Sequence, residues 1–406
     1  MSKPHEPSPG TTAFVILGAI SLSHAFNDMF QSLIPALYPL IKDPLELTYA
    51  QIGLITLTFQ ICSSVFQPVV GWFTDRRPQP YSLPVGMTST MIGLFLLSQA
   101  NHFYVVLISV AIIGLGSAVF HPEASRIAFM ASGGRLGFAQ SFFQVGGNFG
   151  SSLGPLLAAL IVVKYGQHSV GGFCFLALIA IGVMVFISRW AKKSMDRLPQ
   201  RRTRETGSLR QHGLSNRRIA ISVAILLTLI FSKYAYWSSM TSFYMFYLIE
   251  KFNVTEQNAL YFSFIYQFAV AAGTFIGGPI GDRIGRKYVI WFSILGVAPF
   301  TLLLPYVNSL AATVVLSVFI GVILASAFSA ILVYAQELMP GRVGMIAGLF
   351  FGFAFGVAGI ASAVLGELAD HCGIFFVFGV CSFLPLLGCV TVFLPNLRKK
   401  RIEDRG

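Results

Sequence analysis

The first long apolar run of the chain carries His24, Asp28 and Gln31. Spaced i, i+4 and i+7, they share one face of a helix. A charged group inside a membrane helix costs about 2.5–3.5 kcal/mol on insertion scales, so it is read first as functional. A carboxyl group buried in this way can load and release a proton near physiological pH. The structural alternative is a carboxylate paired permanently with a cation. The fourth apolar run adds His121, Pro122, Glu123 and Arg126. Pro122 interrupts the backbone ladder and can turn carbonyls toward a cavity. Asp28 is therefore the leading proton-coupling candidate, assisted by His24, His121 and Glu123. Glu123 and Arg126, three residues apart, can equally pair with each other, and Arg126 can snorkel from the helix end.

Lys233 is the one lysine in the middle of an apolar run. It suits a counter-ion for Asp28 or a ligand for an anionic substrate group. Beside it, Tyr236 and Trp237 offer aromatic faces and polar tips to a drug-like molecule. Tyr244 and Tyr247, nearer the outer end of that run, read as interfacial belt aromatics. Gln140, Gln144 and Asn148 recur every four residues and suit a path lining or hydrogen bonds between helices. With Gln31, the residues Tyr266, Gln267 and Tyr334 complete the substrate candidates; Gln336 and Glu337 are weaker ones.

Other chemistries find no support. The five cysteines (Cys62, Cys174, Cys372, Cys381 and Cys389) are scattered and odd in number. They read as small buried hydrophobes, without disulfide or zinc spacing. No metal, no catalytic residue and no cofactor is expected. The string from Gly150 to Gly154 spells a nucleophile elbow but lies inside an apolar helix, where that motif has no strand–turn–helix context. No phosphate loop, metalloprotease helix or dinucleotide fingerprint is present, which argues against ATP-driven transport by this chain.

The elements that must position these residues are membrane spans. Of 406 residues, 55% are hydrophobic and 11% charged, against about a quarter charged in an ordinary soluble domain. A helix needs about 20 apolar residues to cross the hydrocarbon core. Twelve runs qualify, from Phe14–Ile41 to Gly373–Pro395; the third (Leu83–Ala100) and ninth (Val289–Tyr306) are marginal in length. A tail, residues 1–13, precedes a first half at 14–190. A basic linker at 191–218 leads to a second half at 219–395 and a basic tail at 396–406. The expected fold is all-α, integral to the membrane, with two pseudo-symmetric six-helix halves.

The net charge of +12 would suggest nucleic acid on a soluble protein. Here the basic residues crowd the loops of one side, so the lipid bilayer and not nucleic acid is the expected partner. With the N-terminus cytoplasmic, only Lys42, Lys164 and Lys251 fall in outside loops and Lys233 in a span; every other Lys and Arg falls inside. Both termini are then cytoplasmic, in a plasma membrane, with the bacterial inner membrane expected.

Two loop motifs repeat at one offset. Gly71 and Asp75 in GWFTDRR match Gly278 and Asp282 in GPIGDRIGRK, and Gly134 and Arg135 match Gly341 and Arg342. Duplicated halves of this kind put the substrate path between them, near the midplane. Small residues repeat every four at Gly150 and Gly154 and at Gly273, Gly277 and Gly281, which lets helices approach closely.

The stretch Gly278-x-x-x-Asp282-Arg283-x-Gly285-Arg286-Lys287 resembles the loop signature of the major facilitator superfamily, and Gly71-x-x-x-Asp75-Arg76 is its degenerate first copy. Gly150-x-x-x-Gly154-Pro155 resembles the antiporter signature of drug–proton exchangers. The segments SLSHAFNDMFQSLIPALYPL, VFHPEASRIA, FQVGGNFGSSLGPLLAA, FSKYAY and ILVYAQELMPGR look like the fosmidomycin resistance group. That resemblance implies export of small drugs in exchange for protons, by rocking around a central cavity. It implies that Gly71, Asp75, Arg76, Gly278, Asp282, Arg283, Gly285, Arg286, Arg135 and Arg342 act as conformational latches. Gly150, Gly154 and Pro155 serve helix packing. A monomer is expected, with a small molecule and protons as partners and the proton gradient as energy source. A proton-coupled importer of a nutrient is the alternative, and an intramembrane lipid-modifying enzyme a remote one.

Overall fold

The computed structural model describes residues 12–67, 69–70, 73, 79–133, 136–197, 214–339 and 343–396. Among these the chain is helical, without a strand. Each of the twelve apolar runs forms a helix. They are α1 (Phe14–Lys42), α2 (Tyr49–Ser64), α3 (Ser82–Ser98), α4 (Phe103–Ala131), α5 (Leu136–Leu157) and α6 (Phe173–Arg197). The second half continues with α7 (Asn216–Ser242), α8 (Glu256–Ile284), α9 (Arg286–Ile294), α10 (Leu310–Ala325), α11 (Val343–Cys372) and α12 (Ile374–Cys381).

Local chemistry sets the ends. Thr48 caps α2 with a capping box: its hydroxyl accepts from Gln51 N, and the Gln51 side chain accepts from Thr48 N. Ser215 and Ser309 cap α7 and α10. Gly285 (φ 102°) and Gly373 (φ 83°) make the tight links α8–α9 and α11–α12, in a backbone region that glycine enters without strain. Several spans read as continuous are broken in the structure. After Pro155, α5 passes into a π turn at Ala158–Val162. A short helix, Tyr244–Phe252, follows α7 after a break at Phe243. The ninth span breaks near Pro299 and resumes as Ala298–Leu303, the tenth continues as Phe328–Leu338, and the twelfth passes at Pro385 into a 3₁₀ stretch, Leu384–Phe393. The sixth helix runs on to Arg197, past the linker boundary expected at residue 191.

The packing repeats. α1 lies along α5, α2 on α4, and α3 on α6; six helices later α7 lies along α11, α8 on α10, and α9 against the end of the twelfth span. The halves meet through α2 on α11 and α5 on α8, which is again one contact repeated. The outer surface is apolar: of the most apolar 18 residues within Gln167–Ser194 only 33% are buried, and Val85, Tyr104, Phe175 and Phe275 stand exposed. Such a surface needs lipid, not water, as its solvent.

The α2–α11 seam is uneven. At the end holding Tyr49, a Cβ on Gly366 would strike the Tyr49 backbone and one on Gly53 the Ser362 backbone. Toward the other end, the nearest atom to a Cβ on Gly352 is Ser64 O at 4.0 Å, and Gly356 has nothing within 4 Å. The helices touch backbone to backbone at one face and separate toward the face where α1 begins, called here the terminal face.

Candidate functional site

The α1–α5 crossing is built from small residues. Cβ atoms at Gly146, Gly150 and Gly154 would collide with Ser21, Ala25 and Ser32, so the two backbones lie in direct contact. This closeness brings His24 and Asp28 of α1 against α5. His24 Nδ1 donates to Phe143 O at 2.8 Å, and its ring stacks on Phe143 with centroids 4.0 Å apart. His24 Nε2 lies 3.2 Å from Asp28 Oδ2, and His121 Nε2 approaches Asp28 Oδ1 at 3.7 Å from α4. Asn27 Nδ2 donates to Asp28 Oδ1 at 3.0 Å. His121 Nδ1 is held by its own helix, 3.1 Å from Ser117 O. A residue the sequence reading passed over completes the cradle: a Cβ at Gly147 would fall on the His24 ring and 2.7 Å from Asp28 Oδ2. The glycine doublet Gly146–Gly147 was the available signal.

Glu123 does not join this cluster. Fully buried, its carboxylate is gripped by Arg126, with Nε at 3.1 Å and a second contact from the guanidinium. Of the two roles the sequence left open, the structure has the i, i+3 pair.

Lys233 lies 5% exposed on α7, with its ammonium 5.6 Å from the Phe328 ring centroid and 5.7 Å from that of Tyr234. It is not the counter-ion of Asp28, whose oxygens face His24, His121 and Asn27. Among the described residues Lys233 makes no ion pair. A run of rings separates the two charged groups. His121 contacts Phe355 (6.2 Å), Phe355 contacts Tyr234 (6.4 Å), and Tyr234 contacts Trp237 (5.2 Å).

The other substrate candidates scatter. Tyr236 and Tyr266 are fully buried, and their hydroxyls, like Trp237 Nε1 and Gln31 Nε2, have no hydrogen-bond partner among the described residues. Gln267 is buried; Gln144 and Asn148 are half-buried on α5. Tyr334 is not near the centre: its hydroxyl donates to Pro395 O at 2.5 Å. Tyr244 and Tyr247 are not belt residues. Both are fully buried, and Tyr247 stacks on Phe378 at 4.3 Å and donates to Leu304 O.

Of the expected latches, Gly71, Asp75, Arg76, Arg135 and Arg342 lie outside the described residues, as do the side chains of Asp282 and Arg283. Gly278 and Gly285 belong to the end of α8 and the link that follows it. Arg286 pairs with Glu337 across the α9–α10 contact, and Lys287 donates to Val392 O and Leu394 O. These contacts tie three spans of one half together on the terminal face.

The face opposite carries contacts between the halves that the sequence did not announce. Asp370 of α11 accepts from Tyr49 N (2.8 Å) and Ala50 N (2.7 Å), capping α2 from the other half. The Tyr49 hydroxyl donates to Glu250 beyond α7. Below them a chain of hydroxyls joins four helices: Tyr38 to Thr56 at 2.7 Å, Thr56 to Ser242 at 3.3 Å, and Ser362 to Ser242 at 3.1 Å.

Two repeated six-helix halves in an apolar envelope, joined at one face around buried polar groups, define a multi-pass membrane transporter and not an enzyme. The chain matches the Major Facilitator Superfamily over residues 20–265 and 225–406 and belongs to that family. It is 60% identical to the fosmidomycin resistance protein of Escherichia coli (strain K12), over 96% of this chain and 95% of that one. It is 23% identical to a probable sulfoacetate transporter of Cupriavidus necator, over 89% and 88%. Its fold also matches the crystal structure of the nucleoside transporter NupG, with a TM-score of 0.72 and 14% identity over 93% of this chain and 99% of that one.

Proposed function

We propose that this protein is a proton-coupled antiporter that exports small anionic drug-like or toxic compounds, fosmidomycin-like phosphonates among them, by alternating access. The observation that carries the reading is the separation of two buried groups of opposite charge character. Asp28, flanked by His24 and His121, sits in one half; Lys233 sits in the other behind Phe355 and Tyr234. A buried ammonium that makes no ion pair among the described residues has a strong demand for an anion. The names of the two relatives, a resistance protein for a phosphonate drug and a sulfoacetate transporter, fit an oxyanion in that place. Asp28 is the proton carrier, its neighbours His24 and His121 relaying the proton. Tyr236, Trp237, Tyr266, Gln267, Gln31, Gln144 and Asn148 supply apolar faces and orienting polar tips. The loop residues Asp75, Arg76, Arg135, Asp282, Arg283 and Arg342 latch the terminal face, and Asp370 and Glu250 latch the opposite one.

In this reading both termini are cytoplasmic, the chain works as a monomer in a bacterial inner membrane, and the proton gradient is its energy source. The test is transport in proteoliposomes under an imposed proton gradient, following a phosphonate and internal pH together, for the wild type and Asp28→Asn. Opposite movement of substrate and protons is expected, with coupling abolished and substrate binding retained in Asp28→Asn. Movement in the same direction would install the importer instead, and normal coupling in the variant would remove Asp28 as carrier.

A further inference from the structure

The two histidines around Asp28 are oriented in a way that also suits the ligands of a metal ion. Each holds its Nδ1 against a backbone carbonyl, His24 on Phe143 O at 2.8 Å and His121 on Ser117 O at 3.1 Å. A carbonyl only accepts, so His24 Nδ1 carries the proton. The shorter carbonyl contact favours the same tautomer in His121, whose Nδ1 also lies 3.3 Å from the Ser117 hydroxyl. In the neutral imidazole Nε2 then bears the lone pair. Both lone pairs then point at the two oxygens of one carboxylate, at 3.2 and 3.7 Å. With neutral rings acceptor faces acceptor twice, so each contact calls for a proton on Nε2 or for a cation shared by the three side chains. The same outer hydrogen bond from Nδ1–H to a carbonyl is what orients a metal-binding histidine.

We infer that His24, Asp28 and His121 form a binding site for a divalent first-row transition cation, held by two Nε2 atoms and a carboxylate oxygen. The ligand atoms all lie within 4.8 Å of one another. Zinc takes nitrogen and oxygen ligands at about 2.0–2.2 Å, which sets tetrahedral ligands roughly 3.4 Å apart. The His24 Nε2–Asp28 Oδ2 separation of 3.2 Å lies close to that value, with His121 Nε2 entering from the side of the second oxygen. Gly147 lets α5 lie directly against the ligands: a Cβ there would collide with His24 Nε2 and stand 2.7 Å from Asp28 Oδ2. Asn27 holds the other carboxylate oxygen at 3.0 Å, as an outer partner of a ligand does. With three protein ligands the fourth position is left to water. Asp28 and His121 keep 18% and 15% of their side-chain surface exposed, so the site is reachable. The charged groups nearest to it are otherwise engaged: Glu123 is paired with Arg126, and Lys233 stands beyond Phe355 and Tyr234. A bound cation occupies the atoms that the proposed function assigns to protons and therefore blocks coupled transport. The binding itself does not depend on that reading.

The test is calorimetric titration of the full-length protein, carrying no histidine tag, in lipid nanodiscs with Zn²⁺. One zinc per chain is expected. In His24→Gln and in His121→Gln the affinity should fall by about 100-fold or more, the upper end of the loss produced by removing even an outer-shell partner. His371→Gln, which alters an exposed histidine paired with Glu367, should bind like the wild type. A second measurement needs no variant: Zn²⁺ should shield His121, the more exposed of the two ligands, but not His102 or His371, from diethyl pyrocarbonate, read by mass spectrometry. Absence of zinc binding in the wild type overturns the inference while leaving the transport reading standing. Equal binding in the His24 and His121 variants, or shielding confined to other histidines, overturns it as well. Zinc binding together with unaltered proton-coupled transport would retain the site and remove its blocking role.

Discussion

The two halves of the molecule share a scaffold and differ in what they put on it. The offset of the loop motifs, from Gly71 to Gly278, places His121 at Phe328, Gln144 at Phe351, Asn148 at Phe355 and Asp28 at Ala235. Where the first half carries titratable or amide groups, the second carries rings or a methyl. The packing positions, by contrast, are kept. Ser32 Oγ donates to Met29 O, and its counterpart Ser239 donates to Tyr236 O; Phe143 and Phe350 are both buried. Duplication therefore preserved the contacts that hold helices together and let the facing surfaces diverge. The first half gathers two imidazoles around a carboxylate, and the second surrounds one ammonium with aromatic faces.

The comparison breaks most readily at Lys233. If the second half serves an anion, Lys233→Met removes a charge-assisted contact of about 1.5–3 kcal/mol, or roughly 10- to 100-fold in substrate affinity. Thermal stability should hold or rise, because an unpaired buried ammonium is unfavourable in the empty protein. Binding of a phosphonate to protein in nanodiscs, with a melting curve alongside, checks both. Unchanged affinity would leave the two halves without their proposed division of labour.

Gly147 sharpens the same comparison. Its counterpart by offset is Ala354, which is fully buried and accommodates its methyl because no imidazole stands opposite. In Gly147→Ala the new methyl meets the His24 ring and Asp28. Overpacking of this kind costs about 1–3 kcal/mol, so a lower melting temperature and weakened proton coupling should appear together. Ala354→Gly should cost about 1 kcal/mol of helix propensity and leave coupling alone. Equal effects on coupling from both would mean that the site is indifferent to which half it occupies.

The sequence carried the fold further than the site. Uninterrupted apolar runs mark helices because no other backbone satisfies its own polar groups in lipid, and the doubled loop motif exposes the duplication. The helix breaks at Phe243 and Ser326 were not legible, since neither carries a proline or a left-handed glycine; they follow from how neighbouring helices pack. Within the site, His24 and Asp28 were visible because both lie on one helix, four residues apart. That His121, and not Glu123, completes the cluster depends on the rotation of α4 about its axis, which no periodicity in α4 specifies. Lys233 offered two partners in the sequence, and the Phe355 and Tyr234 rings standing between decide against one of them. Asp370 gave no signal, because an acid near a helix end looks solvated until the other half supplies two free N–H groups.

That contact tests whether the halves move as bodies. Asp370 takes the first two N–H groups of α2 while Thr48 takes the third, so three of its orphan donors are satisfied, two of them from across the seam. Asp370→Ala withdraws a cap of about 1–2 kcal/mol. The balance between closed and open states of this face should shift about tenfold toward open. Spin labels near Tyr49 and Asp370, read by pulsed electron resonance, should show a larger share of long distances. If the distribution is unchanged, the seam is held without this cap, by the Tyr49–Glu250 contact, the Tyr38–Thr56–Ser242–Ser362 hydroxyls and the close packing at Gly53 and Gly366.

The smallest effect expected is at Phe328, and it bears on the comparison most directly because Phe328 stands where the first half has His121. Its ring lies 5.6 Å from the Lys233 ammonium, and it also packs edge-on against Phe351 at 4.8 Å. Phe328→Leu keeps an apolar side chain but removes the ring face, which is worth about 0.5–2 kcal/mol to a cation. When an anion is bound, it screens the ammonium and the ring matters less. The variant should therefore destabilise the empty protein more than the loaded one, and phosphonate affinity should rise slightly, by no more than about tenfold. A fall in affinity would mean that the ring contacts the substrate itself, and the aromatic half would then be a binding surface and not merely a shelter for its lysine.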